Sequence, residues 1–275
     1  MNEVRKTYKM FVGNKFIRSE SGRTYSIKQN KEVIELPLAS KKDIRDAVSS
    51  AKQGHSSWSG LTPYNRAQVL YRLSEMIEGR KSSYVELLKE SGVKSDVAKK
   101  DVEKAIETLI WYSGLTDKWE QLIGNLNPVS GSYLNISHQE SLGVTFVFPR
   151  DSLSLYGLIL SALPPLTVGC SVIMLNNEAG LLSVMLAEDV HNSDMPPGAW
   201  NILTGEYDGI IEDISKHVEI RGIAVANDFN KDDYKRIQES GSASVKRTYR
   251  VNESMDIMSL IPFLETKTVW HPKGK

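Results

Sequence analysis

Gly143-Val144-Thr145-Phe146-Val147-Phe148 decides the fold. No charge interrupts it, and its apolar positions do not alternate with polar ones as a half-exposed strand requires. Such a run reads as a parallel strand buried on both faces. Working outward, helical and extended patterns alternate. Leu153 to Val168 predicts a helix, with Pro164-Pro165 expected to kink or interrupt it. Strands are predicted at Ser171 to Leu175, Ala199 to Leu203 and Ile220 to Val225. Helices are predicted at Leu181 to His191, Ile210 to Ser215 and Asp232 to Glu239. This alternation is the signature of an α/β fold with a Rossmann-like, doubly wound parallel sheet.

Upstream, Tyr8 to Ile17 reads as a strand, a Gly13-Asn14 turn and a second strand. Short strands follow at Tyr25-Ser26-Ile27 and Val33 to Leu36. Ser40 caps a helix, with Asp43 three residues on in a capping-box arrangement. Thr62-Pro63 opens the next helix. A third is marked by Tyr84, Leu87 and Leu88, and a long fourth runs from about Asp96 to Ile123. These form an amino-terminal helical layer. Tyr133-Leu134-Asn135-Ile136-Ser137 alternates as a half-exposed strand does. Ser240 to Ser244 is the most linker-like stretch. Phe263 to Trp270 reads as a final strand, with Glu265, Lys267 and Val269 on one side and Thr266, Thr268 and Trp270 on the other.

Composition narrows the function classes. The chain has 275 residues, 40% of them apolar, with Lys+Arg and Asp+Glu both at 34. Zero net charge favours neither nucleic acid nor an anionic membrane as a partner. No apolar run approaches the ~20 residues of a spanning helix. The single Cys170 excludes an internal disulfide and suits a reducing, cytoplasmic setting. The five histidines (His55, His138, His191, His217, His271) are scattered, so no Cys–His pair and no metal-ligand spacing arises. G-x-G-x-x-G, Walker, H-E-x-x-H and G-x-S-x-G motifs are all absent.

Three runs carry a resemblance. These are Lys15 to Arg23, Trp58 to Arg66, and Pro196-Pro197-Gly198-Ala199-Trp200-Asn201-Ile202-Leu203-Thr204-Gly205. They resemble the opening hairpin, a helix start and the proline-glycine loop with Thr-Gly turn of the aldehyde dehydrogenase superfamily. Phe263 to Trp270 resembles that family's carboxy-terminal strand. In the family a catalytic domain with the nucleophilic cysteine separates the cofactor-binding half from this strand. Here only residues 229–262 do. The chain thus resembles the short, cysteine-less members and the second unit of tandem double-domain members. The expected organisation is a cofactor-binding domain from 1–130 and 143–250, an oligomerisation β-flap from 131–142 and 256–272, and no catalytic domain.

The resemblance also locates a cofactor cleft. The family's oxyanion-holding asparagine is replaced by Asp151, whose carboxylate would repel an oxyanion. Its ribose-gripping lysine is replaced by Leu175, while Glu178 matches a nearby glutamate. Gly205 ends the matching Thr-Gly turn. The Gly-Ser pair under the pyrophosphate becomes Asn227-Asp228, with Asp228 placing negative charge at the phosphate or capping the next helix. Cys170 falls at a structural position before the second strand. The expectation is therefore a degenerate NAD(P) cleft with no cofactor and a non-catalytic assembly or regulatory subunit. The alternative is an NAD(P)-dependent aldehyde oxidoreductase active only when a partner supplies the cysteine. Assembly is expected through Tyr133, Ile136, Phe263, Glu265, Lys267, Val269 and Trp270, as a homo-oligomer, a dimer first, or with a full-length aldehyde dehydrogenase. An uncovered edge strand with exposed apolar residues invites such pairing.

Overall fold

Glycine and asparagine set the first turn. β1 (Met10–Val12) and β2 (Lys15–Ile17) pair antiparallel through Gly13 and Asn14, at φ 59° and 63°. Positive φ at both positions matches the turn's twist to that of its strands. The computed structural model describes residues 7–30, 32–150, 153–252 and 254–274. β3 (Thr24–Gln29) and β4 (Glu32–Pro37) form a separate ribbon. Helices α1 (Lys41–Ser59), α2 (Pro63–Gly79), α3 (Lys81–Glu90), α4 (Ser95–Leu115) and α5 (Trp119–Ile123) follow. Ser40 and Asp43 close a full capping box on α1. The expected long fourth helix is two helices. At Thr116 the backbone N–H turns to Ser113 O (3.2 Å) and the hydroxyl takes Tyr112 O (2.9 Å), ending the ladder.

The second half alternates as the pattern predicts. β5 (Asn125–Asn127) and β6 (Tyr133–Ser141) precede β7 (Val144–Phe148), α6 (Leu155–Thr167), β8 (Ser171–Asn176) and α7 (Gly180–Asn192). Then come β9 (Trp200–Thr204), α8 (Ile211–Lys216), β10 (Ile220–Val225), α9 (Lys231–Gly241) and β11 (Arg247–Arg250). A 3-10 segment, Ile257–Phe263, leads into β12 (Leu264–Pro272). The central sheet runs β11-β10-β7-β8-β9-β1-β2. From β11 to β9 it is parallel, and the opening hairpin adds an antiparallel edge through Phe11 and Ile202. The fold is α/β, as expected, with a mixed sheet rather than a purely parallel one.

Period-two alternation divides the core. Phe146, Phe148, Ile173 and Leu175 pack on the side of α1, α8 and α9. Val147, Val172 and Met174 pack on the opposite side, against α2, α4, α6 and α7. Each fully buried large aliphatic contributes about 1.5–3 kcal/mol. Pro164 and Pro165 do not interrupt α6. They lie in its final stretch, and the carbonyl end is held from outside. Cys170 N–H donates to Pro165 O at 2.9 Å, and the Trp58 indole donates to Leu166 O at 2.9 Å.

β12, β6 and β5 form the flap, with β12 pairing β6 in register from Leu264↔Ser141 to Pro272↔Tyr133. Contrary to the expectation from sequence, Phe263 does not belong to its exposed surface. It is buried against Tyr249, and its carbonyl accepts from Leu142 N–H at 2.9 Å. The strand begins one residue later, so Phe263 is the root of the flap.

α1 crosses the loop before β9 backbone to backbone. A Cβ on Gly54 would lie 2.1 Å from the Gly198 carbonyl carbon. Gly54→Val should lower stability in chemical denaturation by about 3 kcal/mol, the upper end for overpacking. A change below about 0.5 kcal/mol would show that this crossing is not close.

Candidate functional site

β7 is the switch point of the sheet, with β8 on one side and β10 on the other. Crevices outside the carboxyl ends of strands at such points are where open α/β sheets bind ligands. Two cavities of about 300 Å³ each meet there, and Ala226 and Asp228 border both. The first has an aromatic wall. Phe148 ends β7, Tyr207 follows β9 and Phe229 follows β10, with ring centroids 5.1–5.6 Å apart. Leu175, Asn176 and Asn177 at the end of β8 complete it. Asn176 is 3% exposed. Its Oδ1 accepts from Ala179 N–H at 2.9 Å, while its buried Nδ2 has no hydrogen-bond partner among the described residues. An unmet buried amide donor costs about 1–3 kcal/mol, so this cavity suits a ligand that carries an acceptor.

The second cavity lies between α4, the start of α6 and the loop after β10. Asp101 accepts from Ser154 Oγ (2.5 Å), Leu155 N–H (2.7 Å) and Tyr156 N–H (3.3 Å), fixing the amino end of α6. Burial pushes the Asp101 carboxyl up, and those hydrogen bonds pull it down by less. The Lys104 ammonium sits 4.0 Å above the Tyr156 ring.

Between the cavities, Arg150 Nε donates to Asp228 Oδ2 at 2.8 Å. Asp228 therefore does not cap α9. Asn230 does, through Oδ1 to the N–H groups of Asp232 (2.8 Å) and Asp233 (3.1 Å). The loop from Ala226 to Phe229 is clamped by Arg250 of β11. Its Nη1 donates to Asn227 O (2.9 Å) and Phe229 O (3.2 Å), and its guanidinium lies 4.4 Å from the Tyr234 ring centroid.

The crevice thus gathers Leu175, Asn227 and Asp228 from the expected set. It does not gather Gly205, which is buried beside Leu38 and Ala39 with its N–H on Asn176 O (3.0 Å). Glu178 is exposed beyond β8 and borders neither cavity. Asp151 lies outside the described residues. Sequence reasoning missed Phe148, Tyr207, Phe229, Arg150 and Arg250. The aromatics had a usable signal, since each sits at or just past the end of a predicted strand. Arg150 and Arg250 had none, because their partners are set by the fold.

Cys170 is remote in character as well as in place. It is fully buried, its Sγ donates to Phe263 O at 3.5 Å, and burial pushes its thiol up to about 11. A thiol in that state is inert at neutral pH. Among the described residues, no cluster of His, Cys, Asp or Glu could hold a metal ion. Among the same residues, no helix is long and apolar enough to cross a membrane.

The aldehyde dehydrogenase family model matches residues 16–249. The chain belongs to the aldehyde dehydrogenase family. It is 26% identical over 249 residues to the aldehyde dehydrogenase, cytosolic 1, of Elephantulus edwardii, covering 86% of this chain and 48% of that protein. It is 25% identical over 248 residues to omega-crystallin of Enteroctopus dofleini, covering 87% and 49%. The NAD+ complex of aldehyde dehydrogenase from Bacillus cereus superposes with a TM-score of 0.81 at 24% identity, covering 88% of this chain and 50% of that one. The chain spans about half the length of the curated relatives it matches.

One expectation is corrected by these neighbours. A cofactor-free cleft does not stand beside a matching fold solved with NAD+. The physical error lay in counting Asp228 as an unmatched charge, when Arg150 neutralises it.

Arg250→Ala should loosen the loop that borders both cavities. Hydrogen exchange of peptides spanning residues 226–230 should rise by about tenfold or more, given ~1.5–3 kcal/mol for hydrogen bonds from a charged donor. Unchanged exchange would mean that β10 alone holds the loop.

Proposed function

We propose that this chain is the dinucleotide-binding half of an aldehyde dehydrogenase scaffold, which binds NAD(P) at the switch-point crevice, lacks thiol chemistry of its own and assembles through its flap. The observation that carries this reading is the pairing of a ligand-ready crevice with an inert thiol. Asn176 Nδ2 supplies an unmet donor there, and the aromatic wall offers a surface for a flat ring. A bound nicotinamide would supply the hydride acceptor of an aldehyde oxidation. The chain's residues bind and orient, while Cys170 stays in the core as a packing residue. The nucleophile of any such oxidation must then come from outside these residues. A full-length aldehyde dehydrogenase is the partner that the flap and the family membership favour, and self-association is the second.

The flap supports the assembly part. Leu126, Ile136 and Val269 stand opposite one another across its three strands. They are 69%, 41% and 50% exposed, an apolar row facing water. On the other face Tyr133 and Trp270 meet edge to face at 5.9 Å. Glu265 and Lys267 approach each other at 3.4 Å on the row's face, at one end of β12. β12 is an outer strand, so among the described residues one of its edges carries no strand partner.

Titration with NAD+ and NADP+ by calorimetry should give saturable binding to the wild-type chain, with no aldehyde oxidation by the chain alone. Turnover by the purified chain, or no binding of either dinucleotide, would refute the corresponding half of the reading. In light scattering, Ile136→Glu with Val269→Glu should shift the wild-type oligomer to monomer. A wild-type monomer that forms no complex with a full-length aldehyde dehydrogenase would refute assembly.

A further inference from the structure

Asn176 lines the aromatic cavity with an amide whose direction is fixed. Its Oδ1 accepts from Ala179 N–H at 2.9 Å. A flip would set Nδ2 against that N–H, donor to donor. Nδ2 is therefore the end left for other contacts, and it is buried with no hydrogen-bond partner among the described residues. The backbone is held as firmly. Asn176 O accepts from Gly205 N–H at 3.0 Å, and Asn176 stands opposite Thr204 where β8 pairs with β9. The other polar side chains at the cavity differ. Asp228 pairs with Arg150, Asn230 Oδ1 caps α9, and Asn177 and Tyr207 are half-buried, within reach of water. An acceptor that reaches Asn176 Nδ2 gains a bond without first stripping water from the donor.

We propose that Asn176 is the base-reading residue of this crevice, its Nδ2 donating to a ring nitrogen of the adenine of a bound dinucleotide. This rests on the cofactor reading given above, and adds which end of the dinucleotide enters the aromatic cavity and which atom selects it. Adenine carries its acceptors N1, N3 and N7 in the plane of its rings. A base stacked on the wall of Phe148, Tyr207 and Phe229 can point one of them at a donor on the cavity's edge without leaving the stack. The nicotinamide end fits less well. Its acceptor is on a rotatable carboxamide, and its reacting carbon must stay open to an aldehyde, whereas Phe148 and Asn176 are buried here. Selection then follows from the donor. A base with C–H at the position read leaves Nδ2 unmet and forgoes the bond.

The test is calorimetric titration of the wild-type chain and Asn176→Asp with NAD+ and with its 1-deaza-, 3-deaza- and 7-deazaadenine analogues. Each analogue replaces one ring nitrogen by C–H and leaves the phosphates and the nicotinamide untouched. On the wild-type chain one analogue should bind about tenfold more weakly than NAD+, as one buried hydrogen bond warrants. The other two should stay within about twofold. Asn176→Asp keeps an oxygen for the Ala179 N–H and puts a second oxygen where the donor stood. In that variant NAD+ itself should weaken by about tenfold, and the penalty of the selective analogue should vanish. Thermal melts control for folding, and should Asn176→Asp fail to fold, the wild-type series decides alone. A penalty seen with no analogue, shared by more than one, or retained in full by Asn176→Asp overturns the assignment and leaves the cofactor reading standing. If the wild-type chain binds neither NAD+ nor any analogue, the cofactor reading falls and the role of Asn176 falls with it.

Discussion

The burial of β7 on both faces is the constraint on which the rest depends. Val144, Phe146 and Phe148 point to one apolar layer and Val147 to the other, so the strand has no solvent side. A strand buried on both faces must be central. Its two neighbours, β8 and β10, then diverge in connection, and the divergence leaves a crevice at the carboxyl ends. Phe148, the last residue of β7, begins the aromatic wall of that crevice. Core and site are therefore one continuous structure. A residue that sits in the layer at one end of its strand lines the cavity at the other, as Leu175 does.

Electrostatics at the crevice required the fold. Asp228 read alone is a carboxylate facing a phosphate. Arg150 converts it into a neutral pair at 2.8 Å. No spacing rule joins positions 150 and 228, because the contact exists only once β7 and β10 lie side by side. Arg250 is similar. It is an exposed-looking charge in the short polar run Arg247-Thr248-Tyr249-Arg250, which carries no apolar stretch and so gave no strand signal. As an edge strand beside β10, that run needs little burial, and its arginine reaches back over the loop that it helps to shape.

Where local chemistry decides, the sequence was legible. The capping box of Ser40 and Asp43, the Gly13-Asn14 turn and the apolar runs of β7, β8, β9 and β10 all appear where the pattern put them. Where tertiary packing decides, it was not. Phe263 reads as strand but is drawn into the core beside Tyr249, and the flap starts at Leu264. Pro164 and Pro165 read as breakers, yet the carbonyl end of α6 is held by Cys170 N–H and the Trp58 indole, contacts that no local rule supplies. The role of Cys170, by contrast, was legible. Its place before the second strand suggested a structural residue, and its complete burial with a thiol pushed up to about 11 gives the physical reason.

Hydrogen exchange with and without saturating NAD+ tests the central claim most directly, because it locates binding as well as detecting it. Protection should appear in peptides covering Phe148 to Arg150, Leu175 to Asn177 and Ala226 to Asn230, the three strand ends that converge at the crevice. Protection confined to the separate cavity between the β3–β4 ribbon, α3 and α7, or absent throughout, would contradict the assignment of the crevice as the dinucleotide site.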